Sequence, residues 1–325
     1  MLMSGDMPQE KIRSLLQADP DWPELDRLTR HHQVLPQVFR GLLLNKDLVP
    51  ASVLESYQRM DAANTLRNLK LQRELERILA LLSDKGIRCK PLRGPELALA
   101  AYGDVALRFF SDLDICLQEE DVPRAIDCLI SSGYETAIEL PSSRWSSFAA
   151  ITNQISLVHR ERGWLVELHW RILNPLYVLN IDTFLKSPLG GELTGEEMLV
   201  ILCAHGAKHV WGKLKWVVDI DRVVRSSRSL DWAEVLSLAE IAGCHRMLLL
   251  GLLLAEQVCG LELPSLVRGG LSAEPSLQGL KSQCLERMFV DDLGQRRFVS
   301  EFLYHLTVRD RWKDRLRLAW RWPFW

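Results

Sequence analysis

The run Asp112-Leu113-Asp114-Ile115-Cys116-Leu117 constrains the fold more than any other part of the chain. Leu113, Ile115 and Leu117 alternate with Asp112, Asp114 and Cys116, which is the period of a half-buried strand. Asp112 and Asp114 therefore leave the same face, close enough to share a cation. Two like charges on one strand repel, and a divalent ion removes that repulsion. Mg²⁺ is typically held by one or two carboxylates together with the phosphates of a substrate. A solvated strand face carries the same pattern, so the surrounding residues must decide between the two readings.

Upstream, Ile87 to Leu92 reads as a strand that ends in Arg93-Gly94. Pro95 then suits a first helical position, where its missing N–H would have no partner anyway. Free N–H groups at the start of a helix from Pro95 to Ala101, with Gly94 allowing close approach, suit a triphosphate. A loop from Tyr102 to Phe110 brings Arg108 back toward the aspartates. Downstream, Asn153 to His159 and Trp164 to His169 read as a hairpin across Arg160 to Gly163. In its second strand Val166 and Leu168 share one face, and Glu167 and His169 share the other.

This order of strand, glycine turn, helix, loop and Asp-x-Asp resembles the nucleotidyltransferase fold of the polymerase-beta type. The closer resemblance is to a bacterial family of uncharacterised nucleotidyltransferases with the pattern K-G … Y-G … R-x-x-S-D-[IL]-D. Here it matches at Arg93-Gly94, Tyr102-Gly103, Arg108 and Ser111-Asp112-Leu113-Asp114. Arg93 stands where that family usually has Lys, which keeps the charge but replaces a point-like ammonium by a planar fork. Glu167 is the best positional match for the family's third carboxylate, and His169 accompanies it in the [DE]-[LV]-H-W pattern. The run from His205 through Lys208, His209, Trp211 and Trp216 to Asp219 resembles the family's helical half.

The resemblance implies three catalytic, metal-binding acids, Asp112, Asp114 and Glu167, holding Mg²⁺ or Mn²⁺. It implies a nucleoside triphosphate as donor, met by Arg93, Gly94, Arg108, Ser111, His169, His205, Lys208 and His209, and an acceptor of unidentified chemistry. A nucleotide-binding module without transfer activity stays open as the alternative. So does a surface-associated scaffold that uses the basic, Trp-rich tail. The expected fold is α+β, a nucleotidyltransferase-like mixed sheet over residues 87–172. An N-terminal helical region (1–86) and a larger C-terminal helical domain (173–325) flank it.

The helical readings rest on spacing. Ile12 to Gln17, Trp22 to His31 and Val34 to Leu44 form short helices, and Ser52 to Asp84 is the clearest one, closed by Gly86. In it Leu69, Leu71, Leu75, Ile78, Leu79 and Leu82 repeat mostly at three and four residues. Val122 to Ser132 follows as a helix, Tyr134 to Leu140 as a strand, and Asn174 to Pro188 as a connection. Thr194 and Glu197 have capping-box spacing ahead of a helix from Met198 to His209. Further helices are expected from Leu214 to Val224, Trp232 to Ala242, His245 to Cys259 and Leu280 to Leu293. His205 and His209 have a zinc-like spacing, but Gly206 stands where His-Glu-x-x-His needs its acid and no third ligand follows at a useful distance. Lys208 reaching phosphates among those histidines is the more economical expectation.

Composition narrows the class. A net charge of −2 over 325 residues gives no global field toward nucleic acid. Seven scattered cysteines without a Cys-x-x-Cys pair indicate reduced thiols, and no signal peptide or membrane-length apolar run is visible, so a cytoplasmic protein is expected. Patterns for a phosphate loop, a dinucleotide fold or a nucleophile elbow are missing. Arg309 to Trp325 differs from the rest, with six basic residues against two acidic ones and interleaved tryptophans. That composition suits peripheral contact with an anionic surface, or a helix docked by its aromatics. Pro323 predicts a helix end near Trp322.

Overall fold

The computed structural model describes residues 9–136, 138, 144–172, 192–227, 229–289 and 296–321. Three short helices, α1 (Gln9–Gln17), α2 (Trp22–His32) and α3 (Leu35–Leu43), lead into the long helix α4 (Ala51–Asp84). On α4 the residues Leu71, Leu75, Ile78 and Leu82 are buried at three- and four-residue spacing, the apolar stripe of an amphipathic helix. Leu69, which spacing groups with them, faces solvent instead. Gly86, at φ +68°, ends the helix as expected, and Ile87 N–H donates to the Leu82 carbonyl at 2.9 Å.

The sheet that follows is mixed. Among the described residues it contains β1 (Cys89–Pro91), β2 (Asp112–Leu117), β3 (Tyr134–Thr136), β4 (Gln154–His159) and β5 (Leu165–His169), in the order β1-β2-β5-β4-β3. β2 and β5 run parallel, whereas the other pairings are antiparallel, including the expected β4–β5 hairpin. The remainder of the strand expected from Tyr134 to Leu140, and the connection from Asn174 to Pro188, fall outside the described residues. Between β1 and β2 lie α5 (Pro95–Leu97) and a wide helical turn, Ala98–Tyr102, in place of one continuous α-helix. α6 (Val122–Ser131) and α7 (Trp145–Ile151) complete this half.

The second half is helical: α8 (Gly195–Lys208), α9 (Leu214–Ser226), α10 (Trp232–Ala242), α11 (His245–Cys259), α12 (Ser265–Ser272), α13 (Ser276–Phe289), α14 (Arg296–Thr307) and α15 (Trp312–Arg321). The capping box opening α8 is present in both directions, Glu197 N–H to Thr194 Oγ and Thr194 N–H to Glu197 Oε, each at 3.1 Å. No helix among the described residues is long and apolar enough to cross a membrane. The seven cysteines, all among the described residues, form no disulfide.

Two apolar cores organise these elements, and β2 lies between them. Leu113, Ile115 and Leu117 pack with α4 and the inner face of β5. Cys116, on the opposite face, joins the core built by α8, α9 and α11, which also receives Val38 and Leu42 of α3. The period of two thus places the acidic face of β2 toward the helical half. Asp112 and Asp114 sit at the start of the strand on that face.

Candidate active site

The register of β2 and β5 assembles the acids. Asp114 pairs with Glu167 and Cys116 with His169 across parallel strands, so both side chains of the Glu167–His169 face meet the Asp112–Asp114 face. His169 Nε2 hydrogen-bonds Asp114 Oδ1 at 2.9 Å and lies 3.5 Å from Glu167. Ser156 Oγ donates to Glu167 at 3.2 Å. One ligand atom each of Asp114, Glu167 and His169 can be chosen with all three within 4.8 Å of one another. Asp112, one residue pair away along the strand, lies outside that group and is half-buried.

The glycine turn reaches the same point. Gly94 has φ +71°, and a Cβ there would stand 3.3 Å from the Asp112 carbonyl oxygen, so the chain passes too close to β2 for a side chain. Leu92 N–H donates to the Asp114 carbonyl at 3.0 Å and fixes this approach. Arg93 is thereby aimed over the strand. Its Nη2 donates to Asp114 at 2.8 Å, and its Nη1 meets His205 Nδ1 on α8. A guanidinium can only donate, so His205 accepts through Nδ1 and carries its proton on Nε2. Burial and the Arg93 charge hold His205 well below its ordinary range, which agrees with that neutral form.

Charge accounts for the rest of the geometry. Burial and then the Asp114 charge push Asp112 up, against the opposing charges of Arg93 and Lys215. For Asp114 burial acts in the same direction, but the Arg93 charge and the His169 hydrogen bond outweigh it and hold the group well below the usual carboxylate range. Glu167 is held down in the same way by His169 against its burial. His169 itself is raised, because its bonds to Asp114 and Glu167 outweigh a burial that would lower it.

Two lysines flank the acids and form no ion pair among the described residues. Lys208 closes α8 on the Asp114–Glu167 side, lowered by burial and the Arg93 charge while both acids act to raise it. Lys215 opens α9 on the Asp112 side, pushed down to about 7 by burial and the charge of Arg108. Its Nζ lies 5.8 Å from the centre of the Phe109 ring, which Arg67 covers at 4.3 Å. His209 stacks on Trp216 with ring centres 5.1 Å apart, and Ser111 is exposed immediately before β2.

Most of the expected residues therefore gather here. Arg108 is placed differently: Nε and Nη2 both donate to Asp219 on α9 at 2.8 Å, and Tyr102 Oη donates to the same carboxylate at 2.6 Å. Its fork serves Asp219 and not the acidic pair. Asn68 of α4 holds the Arg108 carbonyl at 2.7 Å, which anchors this loop from below. Sequence reasoning passed over Lys215, although the four-residue spacing to Asp219 on an amphipathic helix carried the signal. Gly206, where a zinc protease would have its acid, leaves room for Trp211, whose ring occupies the place a Cβ would take.

The family described as uncharacterised nucleotidyltransferase matches residues 18–260, a span that includes every residue of this site. The chain belongs to that family. It is a nucleotidyltransferase, in an α+β fold. No curated protein matches it. Among solved structures, the antibiotic-resistance factor ANT(2'')-Ia, determined in solution, is 14% identical; the match covers 53% of this chain and 90% of that one, with a TM-score of 0.37.

Proposed function

We propose that this nucleotidyltransferase moves a nucleoside monophosphate from a nucleoside triphosphate to an acceptor hydroxyl, with divalent metal bound by Asp112, Asp114 and Glu167. The observation that carries this reading is the β2–β5 register, which sets Glu167 against Asp114 two residues from Asp112. The donor set suits a hard cation: Asp114 and Glu167 face each other across paired strands, and Asp112, raised by burial and by the Asp114 charge, stands two residues away on the same strand face. A Mg²⁺ or Mn²⁺ ion bound there would neutralise the triphosphate and ease deprotonation of the acceptor.

The chain's own groups divide the remaining work. In transfer the acceptor oxygen forms a bond to the α-phosphorus, the bond from that phosphorus to the pyrophosphate oxygen breaks, and the hydroxyl proton leaves to water. No side chain serves as nucleophile. Gly94 lets backbone N–H groups approach the phosphates. Arg93, steadied by His205, neutralises Asp114, and its fork would be available to phosphate where a cation held that carboxylate. Lys208 and Lys215 supply unpaired positive charge on the two flanks of the acids. Arg108 acts through Asp219, by positioning α9 and with it Lys215.

Calorimetric titration of nucleotide with and without Mg²⁺ tests the assignment. The wild type is expected to bind only with the ion, and Asp114→Ala to lose that dependence. Equal Mg²⁺-dependent affinity in both would remove Asp114 from the site. Mass spectrometry of lysate molecules labelled from a mixed nucleotide pool then identifies the acceptor, with label expected from wild type and not from Asp112→Asn.

A further inference from the structure

The helix α15 presents a surface that the transfer site does not use. Trp312, Leu316 and Trp320 are 65%, 60% and 83% exposed. At 100° per residue they span about 80° of the helix circumference, and Asp314 and Leu318 lie roughly opposite. Leu318 is fully buried and Asp314 nearly so, which docks the helix by the other side. Arg311 also holds it in place, donating to the carbonyls of Glu240 and Ile241 on α10 at 3.1 and 2.7 Å. The aromatic stripe is therefore outward by construction, since the docking contacts fix the rotation of the helix.

The exposed charge on the same helix has one sign, although Arg317 Nη1 also reaches Asp314 Oδ1 at 3.4 Å. Lys313 and Arg317 are the exposed charged side chains among residues 312–320, and they lie along one side of the stripe, with exposed Arg311 just before the helix. The acids of this segment are turned inward: Asp314 is buried, and Asp310 caps α11 by accepting from His245 and Arg246 N–H at 2.7 and 2.8 Å. Beside the stripe a groove of about 530 Å³ is lined by Leu306, Leu316 and Ala319 and by the polar Arg246, Ser276, Thr307 and Arg315. α14 adds Val299 and Leu303, 59% and 55% exposed at a spacing of four.

We propose that α15 lies in the headgroup region of an anionic lipid bilayer, with Trp312, Leu316 and Trp320 inserted and Lys313 and Arg317 at the phosphates. Tryptophan favours that boundary, and flanking cations are drawn to anionic lipid. A nucleic acid would satisfy the cations and stack on the tryptophans but offers nothing to Leu316, Ala319 or Leu306. The membrane answers both halves of the pattern.

Sedimentation of the full chain with phosphatidylcholine vesicles, with and without phosphatidylglycerol, tests this. Binding is expected only with the anionic lipid and is expected to weaken as salt is raised. Replacing Lys313 and Arg317 by Gln should weaken it about fivefold per residue. The double change Trp312→Ala and Trp320→Ala should weaken it by roughly tenfold or more per residue. Because these four side chains are exposed, melting temperatures should stay at the wild-type value. Equal sedimentation of wild type and the double Trp variant overturns the proposal, as does equal binding to neutral vesicles. Binding to single-stranded RNA without vesicle binding would assign the surface to nucleic acid instead.

Discussion

Arg93 and Arg108 each meet a buried aspartate at 2.8 Å, yet the two pairs are built differently. Arg108 and Asp219 are 5% and 0% exposed by side chain, joined through both carboxylate oxygens, and completed by Tyr102. Nothing in that pair is left over. Asp114 instead receives Arg93 and His169 on one oxygen, faces Glu167 across the sheet and follows Asp112 on its own strand. Arg93 Nε and His169 Nδ1 are buried there without a hydrogen-bond partner among the described residues. The lesson is that charge type does not distinguish a brace from a site. The brace has matched donors and acceptors, while the site holds more acid than its cations satisfy and flanks it with lysines that have no ion pair.

The largest effect should come from breaking the brace. Asp219→Asn leaves Arg108 charged and buried, and loss of one partner of such a pair costs about 3–5 kcal/mol. Urea unfolding should show that loss, and the double change Arg108→Met with Asp219→Leu should recover much of it. A stable Asp219→Asn protein would erase the contrast between the two pairs.

Asp114→Asn should invert the pattern. Transfer should fall by at least roughly 10²-fold, the scale for one electrostatic group in a transition state. The stability loss should be smaller than for Asp219→Asn, because removing this charge also relieves repulsion with Asp112 and Glu167. Pyrophosphate release and urea unfolding on the two variants together decide it.

Next come the unpaired cations. Lys215→Met and Lys208→Met should each weaken nucleotide binding by about 10- to 100-fold, the value of a hydrogen bond to a charged group. Neither should reduce the melting temperature, since each removes a half-buried charge that has no ion pair. A fall in melting temperature without a change in affinity would place either lysine with the brace.

The smallest effect is the pH dependence that His169 and Asp114 contribute. His169 is raised by its partners, so its contribution is fully present below the unfolded value of about 6.5 and is lost as pH rises through the folded value. Asp114 is depressed, so its contribution is present above about 3.9 and is lost on acidification. Measured as the difference between wild type and His169→Gln, thermal stability should therefore fall as pH rises above about 6.5, while Lys215, pushed down to about 7, favours the fold increasingly as pH rises in both proteins. Changes at Arg108 should leave the His169 difference in place.

Local rules carried much of the architecture. The two-residue alternation put Asp112 and Asp114 on one face, the hairpin put Glu167 and His169 on one face, and Thr194 with Glu197 opened α8. Gly86 and Gly94 held positive φ where the chain had to turn. These follow from periods and caps that act within a few residues, so they can be read without the rest of the molecule. Tertiary packing alone decided which cation meets which acid. Arg93 and Arg108 look equivalent in a linear motif, and only the packing of α8 and α9 against the sheet gives one to Asp114 and the other to Asp219, 111 residues away. The same holds for α15, where docking buries Leu318 and turns Trp312, Leu316 and Trp320 outward. Side-chain period sets which residues share a face; which face is buried depends on the surface that arrives against it, and that surface comes from distant parts of the chain.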